Sequence, residues 1–311
     1  MEVLSKTKIA IVGLGGVGAY YGGLLSRFAE KEDSLDVSFL VRGENLKKIR
    51  EDGLRVVVGK KTFVTRPALA TDNASEIGPV DYVIMATKSY DLESILKQIE
   101  PLLKKDTVIL PLLNGIDITT RIRKTFPEQE VWYGCVYIVS RLTEPGVVES
   151  MGNVHFFHFG SDEKNNPERL TTFEQLLKSA GIEATLKEDA VKAVWRKYFY
   201  ISPTASLTTF LNVDFPGLVH DKERKKMYVG LMEELLAISK AEGVELHDGI
   251  IDDMLKYGGS LPAGTTASMN SDYLAGRPIE LDTLTGIVVK LGRKHGIDTP
   301  LYEMIYSHLK A

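Results

Sequence analysis

The sequence predicts an α/β protein whose N-terminal domain is built on a parallel sheet and whose C-terminal domain is entirely helical. Short apolar runs suited to buried strands alternate with helical patterns in the first half of the chain. From Pro167 onward helical periodicity dominates and strand-like runs nearly disappear. At 311 residues the chain exceeds the size at which one core usually keeps growing. We therefore expect two domains, with bounds at residues 1–187 and 188–311.

The composition is that of a globular protein with a small-molecule partner. Hydrophobic residues make up 44% and charged residues 26% of the chain, so it can bury a core. A formal net charge of −4 does not favour binding to nucleic acid or to a membrane surface, because both prefer basic patches. No segment approaches the ~20 apolar residues of a spanning helix. The single cysteine, Cys135, fits a reducing compartment, so we expect a cytoplasmic protein.

The first predicted strand runs directly into a glycine-rich turn, within residues 8–23 (KIAIVGLGGVGAYYGG). Its three motif glycines have the G-x-G-x-x-G spacing, which permits a tight turn, close approach of a pyrophosphate and packing of helix on strand. The following helix offers N–H groups to that anion. We therefore expect a Rossmann-type dinucleotide-binding domain, the alternative being a tight turn with no ligand. The predicted cofactor contacts here are Gly13, Leu14, Gly15, Gly16, Val17 and Gly18.

The second predicted strand, residues 36–41, ends at Arg42. In dinucleotide folds an acid at this strand tip accepts a hydrogen bond from the ribose 2′-OH of NAD, whereas an arginine accommodates the 2′-phosphate of NADP. No acid occupies the tip, so Arg42 predicts NADP or NADPH as the cofactor. The alternative is an arginine that is merely solvated at a strand end.

Two further polar residues follow predicted strands. Lys88 comes after residues 80–86, and Asn114 after residues 107–113. Ligands of open α/β sheets bind outside the carboxyl ends of the strands, so both are candidates for cofactor contact, and the Asn114 amide also for substrate contact. Lys88 is otherwise a solvated lysine that begins a helix. Asn114 is otherwise a residue that satisfies its own turn.

The remaining strand patterns complete the first domain. Residues 54–70 are predicted to form an edge hairpin, and residues 131–138 resume the sheet. Residues 147–160 follow a turn and are predicted to pair antiparallel, so that the sheet becomes mixed at its end. Residues 183–186 are expected to close the same sheet as an edge strand.

In the helical half, a lysine lies in the middle of a long predicted helix, residues 189–211. Lys197 shares one helix face with Ile201 and Ala205 because the three are spaced four residues apart. It is therefore either a lysine at the domain edge or one held in a cleft, where burial favours use as a general acid. Residues 258–272 are predicted to be a hydroxyl-rich loop. Glu280 then opens a helix, either as an ordinary partner of the helix dipole or as a functional carboxylate.

In order, the segments GLGGVG, VRG, TKSYD, LNG, EPGVV, WRK, SMNSDYLAGRPIELD and KHGIDTPLYE resemble the ketopantoate reductases, which make pantoate for coenzyme A synthesis. The resemblance covers nearly the whole chain. It implies that the Rossmann-type domain carries NADPH, that the helical domain closes over it, and that a 2-ketoacid binds in the cleft between them. It also implies roles for individual residues. Lys197 is the general acid, Glu280 binds a hydroxyl of cofactor or substrate, and Ser268 binds the carboxylate side of the substrate. Asn114 contacts both cofactor and substrate, and Lys88 and Arg42 contact the adenosine end of the cofactor.

The chain departs from this family where asparagines often line the substrate pocket. Those positions carry Ile201, Ala205 and Thr265, and we still expect Thr265 to contact substrate. The leading interpretation is NADPH-dependent reduction of 2-dehydropantoate, without a metal or a protein nucleophile. Two alternatives stay open: reduction of a related branched 2-ketoacid, and an NADP-sensing regulator without catalysis. The apolar helices also suggest a homodimer.

Overall fold

A computed structural model describes residues 6–163 and 166–311, without the side chains of residues 153 and 154. The chain forms two structural units. Unit 1 comprises Met1–Leu113 and Ile118–Ala190, and unit 2 comprises Asn114–Asp117 and Val191–Ala311.

Unit 1 is an α/β unit. Its strands are β1 (Thr7–Val12), β2 (Leu35–Leu40), β3 (Leu54–Val58), β4 (Lys61–Thr65), β5 (Leu69–Thr71), β6 (Tyr82–Met85), β7 (Val108–Pro111), β8 (Glu130–Val131), β9 (Tyr133–Glu144), β10 (Val147–Gly160) and β11 (Ala184–Leu186). Its helices are α1 (Gly16–Ala29), α2 (Gly43–Asp52), α3 (Ala74–Ile77), α4 (Leu92–Ile99), α5 (Ile118–Thr125) and α6 (Pro167–Ser179).

The first sheet is six-stranded, with the order β5-β2-β1-β6-β7-β8. All of its pairs are parallel. This is the Rossmann strand order, in which strands are first added on one side of β1 and then, starting with β6, on its other side. The carboxyl ends of β1 and β6 therefore flank the expected ligand crevice. The predicted fold class is thereby confirmed.

Strand β1 is buried on both faces, as its apolar run predicts. Ile9 and Ile11 lie in a core with α1 and the second sheet, whereas Ala10 and Val12 lie in a separate core with α4 and α5. The alternation follows from the period of two along a strand. The first turn after β1 is therefore fixed from both sides of the sheet.

A second sheet corrects the predicted mixed end of the first. Its order is β11-β10-β3-β4, with β9 paired to β10. Strand β10 pairs antiparallel with β9 and parallel with both β3 and β11. The hairpin over residues 54–70 is confirmed as β3 and β4, but β5 belongs to the first sheet, and β11 closes the second sheet instead of the first. The prediction was wrong because these pairings join strands that are far apart in sequence.

Unit 2 is helical. Its helices are α7 (Ala190–Leu211), α8 (Phe215–His220), α9 (Lys222–Ala241), α10 (Ile250–Ser260), α11 (Ser268–Leu274), α12 (Ile287–His295) and α13 (Pro300–Lys310), and a π-helical turn, Asp282–Gly286, directly precedes α12. Residues from α7, α9, α12 and α13 form one core. The hydroxyl-rich segment is shorter than predicted, because α10 extends through Ser260 and α11 begins at Ser268.

Within the part of the chain that the structure describes, no helix is both long enough and apolar enough to span a membrane.

Candidate active site

The glycine-rich turn adopts the conformation that its spacing predicts. Gly13 follows β1 with a φ of +87°, a region that side chains rarely enter, and a Cβ there would lie 2.5 Å from the Thr87 methyl carbon. A Cβ on Gly18 would lie 2.0 Å from the carbonyl oxygen of Gly13. Glycine is therefore required at both positions for α1 to start directly behind β1.

The surroundings of this turn fit a phosphate-bearing dinucleotide. Gly15 caps α1 without a side-chain hydrogen bond, and a Cβ on it would have no neighbour within 4 Å, so space remains in front of the helix N-terminus. The hydroxyls of Thr87 and Ser140 are buried without a hydrogen-bond partner among residues 6–163 and 166–311. Thr87 adjoins Gly13, and the Ser140 backbone adjoins Gly16. The turn thus combines helix N–H groups with two polar atoms that a ligand can satisfy.

Leu14 and Val17 complete the glycine-rich turn. Leu14 is buried in the core of unit 1, and Val17 is half-buried against that core. Their side chains stabilise the turn, and contact of their backbones with the cofactor stays a prediction.

Arg42 and Lys88 lie at the ends of β2 and β6. Arg42 is the N-cap residue of α2, its side chain is 79% exposed, and a guanidinium nitrogen lies 3.7 Å from Asp91 Oδ2. Lys88 is half-buried and precedes a short 3-10 helix that ends at Asp91. An exposed ion pair of this kind contributes at most about 1 kcal/mol, so Arg42 can exchange Asp91 for an anionic ligand at little cost.

Lys197 and Asn114 meet within unit 2. The Lys197 ammonium donates a hydrogen bond to Asn114 Oδ1 at 2.7 Å. Lys197 is only 8% exposed, and Asn114, directly after Leu113, is half-buried. A buried ammonium is costly unless it is hydrogen-bonded, so this contact holds the amine in one position. The pair provides a proton donor beside an amide.

Glu280 is a buried carboxylate of unit 2, 5% exposed. Its carbonyl oxygen accepts a hydrogen bond from Leu284 N at 2.9 Å, so Glu280 starts the helical segment that contains the π-helical turn. The structure therefore places Lys197, Asn114 and Glu280 in one unit, each on a different segment of the chain.

Ser268 and Thr265 lie where the hydroxyl-rich segment enters α11. Ser268 is exposed at the first position of that helix. The Thr265 hydroxyl donates to the carbonyl oxygen of Pro262 at 2.6 Å, which leaves only its lone pairs for another partner. Contact of either residue with substrate stays a prediction.

Sequence reasoning missed Asp214, which hydrogen-bonds to the hydroxyl-rich segment. Its carboxylate accepts hydrogen bonds from Gly217 N at 2.8 Å and from Gly264 N at 2.7 Å. The N–H groups of Gly264 and Gly217 lower the pKa of Asp214 below the usual range of aspartate. The Phe215 N–H also donates to the Thr265 carbonyl oxygen at 2.9 Å. An Asp before Phe-Pro-Gly predicts a helix cap, but nothing in the sequence indicates its second partner.

The helix face that carries Lys197 is apolar beyond the lysine. Ile201 is half-buried, and Ala205 is 2% exposed. Of the polar residues on the next turns, the Thr204 hydroxyl donates to the Tyr200 carbonyl oxygen at 2.9 Å, whereas the Thr209 hydroxyl is buried without a hydrogen-bond partner among the described residues. For two turns beyond Lys197, this helix face therefore carries hydrocarbon side chains and no amide.

Comparisons with known proteins agree with this architecture. The family model for ketopantoate reductase PanE/ApbA matches residues 9–163, and the model for its C-terminal part matches residues 189–311. An uncharacterised oxidoreductase, YkpB of Bacillus subtilis, is 27% identical over 97% of this chain and 98% of its own. The crystal structure of 2-dehydropantoate 2-reductase from Porphyromonas gingivalis is 34% identical, with a TM-score of 0.87 over 99% of this chain and 100% of the other.

A second similar structure is that of a D-mandelate dehydrogenase with NADH and anilino(oxo)acetate. It is 25% identical, with a TM-score of 0.85 over 97% of this chain and 96% of the other. The matched proteins are oxidoreductases with the fold of NAD(P)-dependent dehydrogenases. The two family models together cover most of the chain, including the glycine-rich turn, Lys197 and Glu280. The chain therefore belongs to the ketopantoate reductase PanE/ApbA family and is an oxidoreductase.

Proposed function

We propose that the protein reduces 2-dehydropantoate to pantoate with NADPH. The observation that carries the proposal is the hydrogen bond between the buried Lys197 ammonium and Asn114 Oδ1, at 2.7 Å. Reduction of a ketone places negative charge on its oxygen, and an ammonium at that point supplies both an opposite charge and a proton. When bound, the nicotinamide supplies the hydride.

Each predicted residue of the active site has a role in this reaction. Lys197 donates its proton to the ketone oxygen while the carbonyl carbon accepts the hydride, and it regains a proton from solvent after product release. Asn114 fixes the amine and contacts both cofactor and substrate. Glu280 binds a hydroxyl of substrate or cofactor, and Ser268 and Thr265 bind the carboxylate side of the ketoacid.

The cofactor belongs to unit 1 in this proposal. The N–H groups at the start of α1 and the backbone of the turn (Gly13, Leu14, Gly15, Gly16, Val17 and Gly18) bind the pyrophosphate. Arg42 binds the 2′-phosphate, which distinguishes NADPH from NADH, and Lys88 contacts the adenosine side. Residues 1–187 thus act as the cofactor domain and residues 188–311 as the substrate domain.

A second candidate substrate is a branched or aromatic 2-ketoacid without the hydroxyl group of ketopantoate. Ile201 and Ala205 favour it, because an apolar helix face beside Lys197 stabilises a hydrocarbon side chain and offers a hydroxyl no partner. The similar D-mandelate dehydrogenase structure, with anilino(oxo)acetate bound, agrees with an apolar substrate side chain in this fold.

A substrate panel separates these candidates. NADPH and NADH oxidation are each followed with ketopantoate, 2-ketoisovalerate and phenylglyoxylate. The proposal expects the highest kcat/KM for ketopantoate with NADPH. A higher value for either of the other acids selects the second candidate, and tight NADPH binding without turnover of any acid identifies a nucleotide-sensing protein instead.

We also propose a cytoplasmic homodimer formed through the helical unit. Tyr273 and Leu274 are adjacent on α11 and are 45% and 60% exposed, an unusual pair of apolar side chains for a free surface. Light scattering at micromolar concentration tests this, and a mass of one chain contradicts it.

A further inference from the structure

The helix after Glu280 begins with a π-helical turn, Asp282–Gly286. The Ile287 N–H bonds to the Asp282 carbonyl oxygen, five residues back, where an α-helix would use the Thr283 carbonyl four residues back. The Thr283 carbonyl therefore needs a different donor, because buried carbonyls are costly when they are unpaired. Such turns often accompany functional sites.

Three hydroxyl side chains of α7 face this turn, and we call them the hydroxyl ladder: Tyr198, Ser202 and Ser206. The Tyr198 hydroxyl lies 2.9 Å from the Thr283 carbonyl oxygen and 3.0 Å from that of Leu284. Ser202 donates to the Leu284 carbonyl oxygen at 2.6 Å. Ser206 Oγ lies 2.8 Å from Thr285 Oγ1.

The side chains of the hydroxyl ladder are buried and hydrogen-bond to the turn. Tyr198 is 1% exposed and Ser202 0% exposed, so water does not compete for these bonds. Burial raises the pKa of Tyr198, so its phenol keeps its proton and acts as a donor. Ser202 is held in turn by the Tyr302 hydroxyl at 2.8 Å. Spacing of four residues along α7 places all three hydroxyls on one face.

The ladder connects the chain segments that carry Lys197 and Glu280. Lys197 directly precedes Tyr198 on α7. Glu280 lies two residues before the π-helical turn, and its carbonyl oxygen accepts from Leu284 N, the residue whose own carbonyl accepts from Ser202. We propose that the hydroxyl ladder is a positioning device that stabilises the π-helical turn and thereby fixes the Glu280 carboxylate relative to the Lys197 ammonium. This inference rests on the proposed function of those two residues.

Helix geometry gives the expected consequence of losing the ladder. A π-helical turn holds one residue more than an α-helical turn. If the turn became α-helical, that residue would move out of it, which would rotate the preceding residues by about 100° and shift them by about 1.5 Å along the helix axis. Misplacement of a reacting group by about 1 Å can cost on the order of a hundredfold in rate. Tyr198, Ser202 and Ser206 are thus positioning residues and not catalytic residues.

Two tyrosines of unit 2 allow a matched test. Tyr198→Phe removes the hydroxyl that binds the turn. Tyr228→Phe removes a hydroxyl that is equally buried, 0% exposed, and lies 2.6 Å from Thr204 Oγ1 on the same helix α7, away from the π-helical turn. Both variants lose one buried hydroxyl from the same core, so a general loss of stability affects both.

We expect Tyr198→Phe to lower kcat at least about tenfold and to leave the KM for NADPH within about twofold, with kcat for Tyr228→Phe within about twofold of the unmodified protein. Amide hydrogen exchange of residues 282–287, measured without cofactor, should accelerate in Tyr198→Phe only. Ser202→Ala should give the same two results and replaces Tyr198→Phe if that variant does not fold.

Equal kcat for Tyr198→Phe and the unmodified protein, or equal exchange of residues 282–287 in the two phenylalanine variants, overturns the inference. If the unmodified protein turns over no ketoacid, the proposed function fails instead. The exchange measurement then still decides whether the ladder stabilises the turn.

Discussion

Replacing Lys197 with methionine removes the proposed proton donor and keeps most of the length of its side chain. Lys197 is 8% exposed and donates to Asn114 Oδ1 at 2.7 Å, so the methionine occupies similar buried space but donates nothing. Loss of a general acid typically costs a factor of 10² to 10⁴ in rate, or roughly 3–5 kcal/mol of barrier. We expect kcat with the preferred ketoacid to fall by that factor.

Stability and cofactor binding should change much less. Asn114 is half-buried, so water can replace the lost donor, and we expect a change of about 1 kcal/mol or less in the free energy of unfolding. The glycine-rich turn belongs to unit 1, so the Kd for NADPH should stay within about threefold.

Stopped-flow measurement of NADPH oxidation gives kcat, and quenching of protein fluorescence gives the Kd for NADPH. Lys192→Met is the matched control, because Lys192 is exposed on the same helix α7. A kcat within about threefold of the unmodified protein would refute the assignment of Lys197 as proton donor. An equal loss in the Lys192→Met control would do the same.

Three further predictions test separate parts of the site. Arg42→Ala should raise the KM for NADPH at least about tenfold and leave that for NADH unchanged, since only NADPH carries the 2′-phosphate; equal effects on both cofactors would exclude Arg42 from that role. Ile201→Asn should shift the ratio of kcat/KM for ketopantoate over 2-ketoisovalerate upward by about tenfold, and an unchanged ratio would remove Ile201 from the substrate pocket. The lowered pKa of Asp214 means that its ionised form stabilises the fold at neutral pH and that this contribution is lost as pH falls through the folded pKa. The Tm of Asp214→Asn should therefore lie below that of the unmodified protein at about pH 6, and the difference should shrink as the pH falls to about 3. A difference that stays constant would contradict a stabilising role of the ionised carboxylate.

Local patterns predicted the first sheet well because each signal is contained in a few residues. The continuous apolar run Ile9–Val12 is visible in the sequence, and all four residues are buried, on the two faces of β1. Likewise, the spacing of Gly13 and Gly18 reports the close approach of their backbones.

The second sheet could not be predicted in the same way. Strand β10 takes three partners, and β3 lies about a hundred residues earlier in the chain, so its choice depends on tertiary packing instead of local periodicity. The hydrophobic pattern of β11 indicates a strand but not which sheet it joins.

The sequence also does not reveal the hydrogen bonds that stabilise the segments of the candidate site. The sequence shows Lys197 as a lysine in the middle of a long predicted helix and Glu280 as a carboxylate at the start of another. The bonds from Tyr198 to Thr283 and from Asp214 to Gly264 join residues far apart in sequence and involve backbone atoms, which carry no sequence signal. A π-helical turn has the same composition as the helix around it, so only coordinates show it.

The most direct test of the central claim is transfer of label from the cofactor to the ketoacid. NADPH deuterated at the transferable position of its nicotinamide ring is incubated with the protein and ketopantoate, and the product is analysed by mass spectrometry. We expect one deuterium on the former carbonyl carbon of pantoate, and formation of that product roughly 10²- to 10⁴-fold more slowly in Lys197→Met. Unlabelled pantoate, or no reduced product from ketopantoate, 2-ketoisovalerate or phenylglyoxylate, would contradict the central claim.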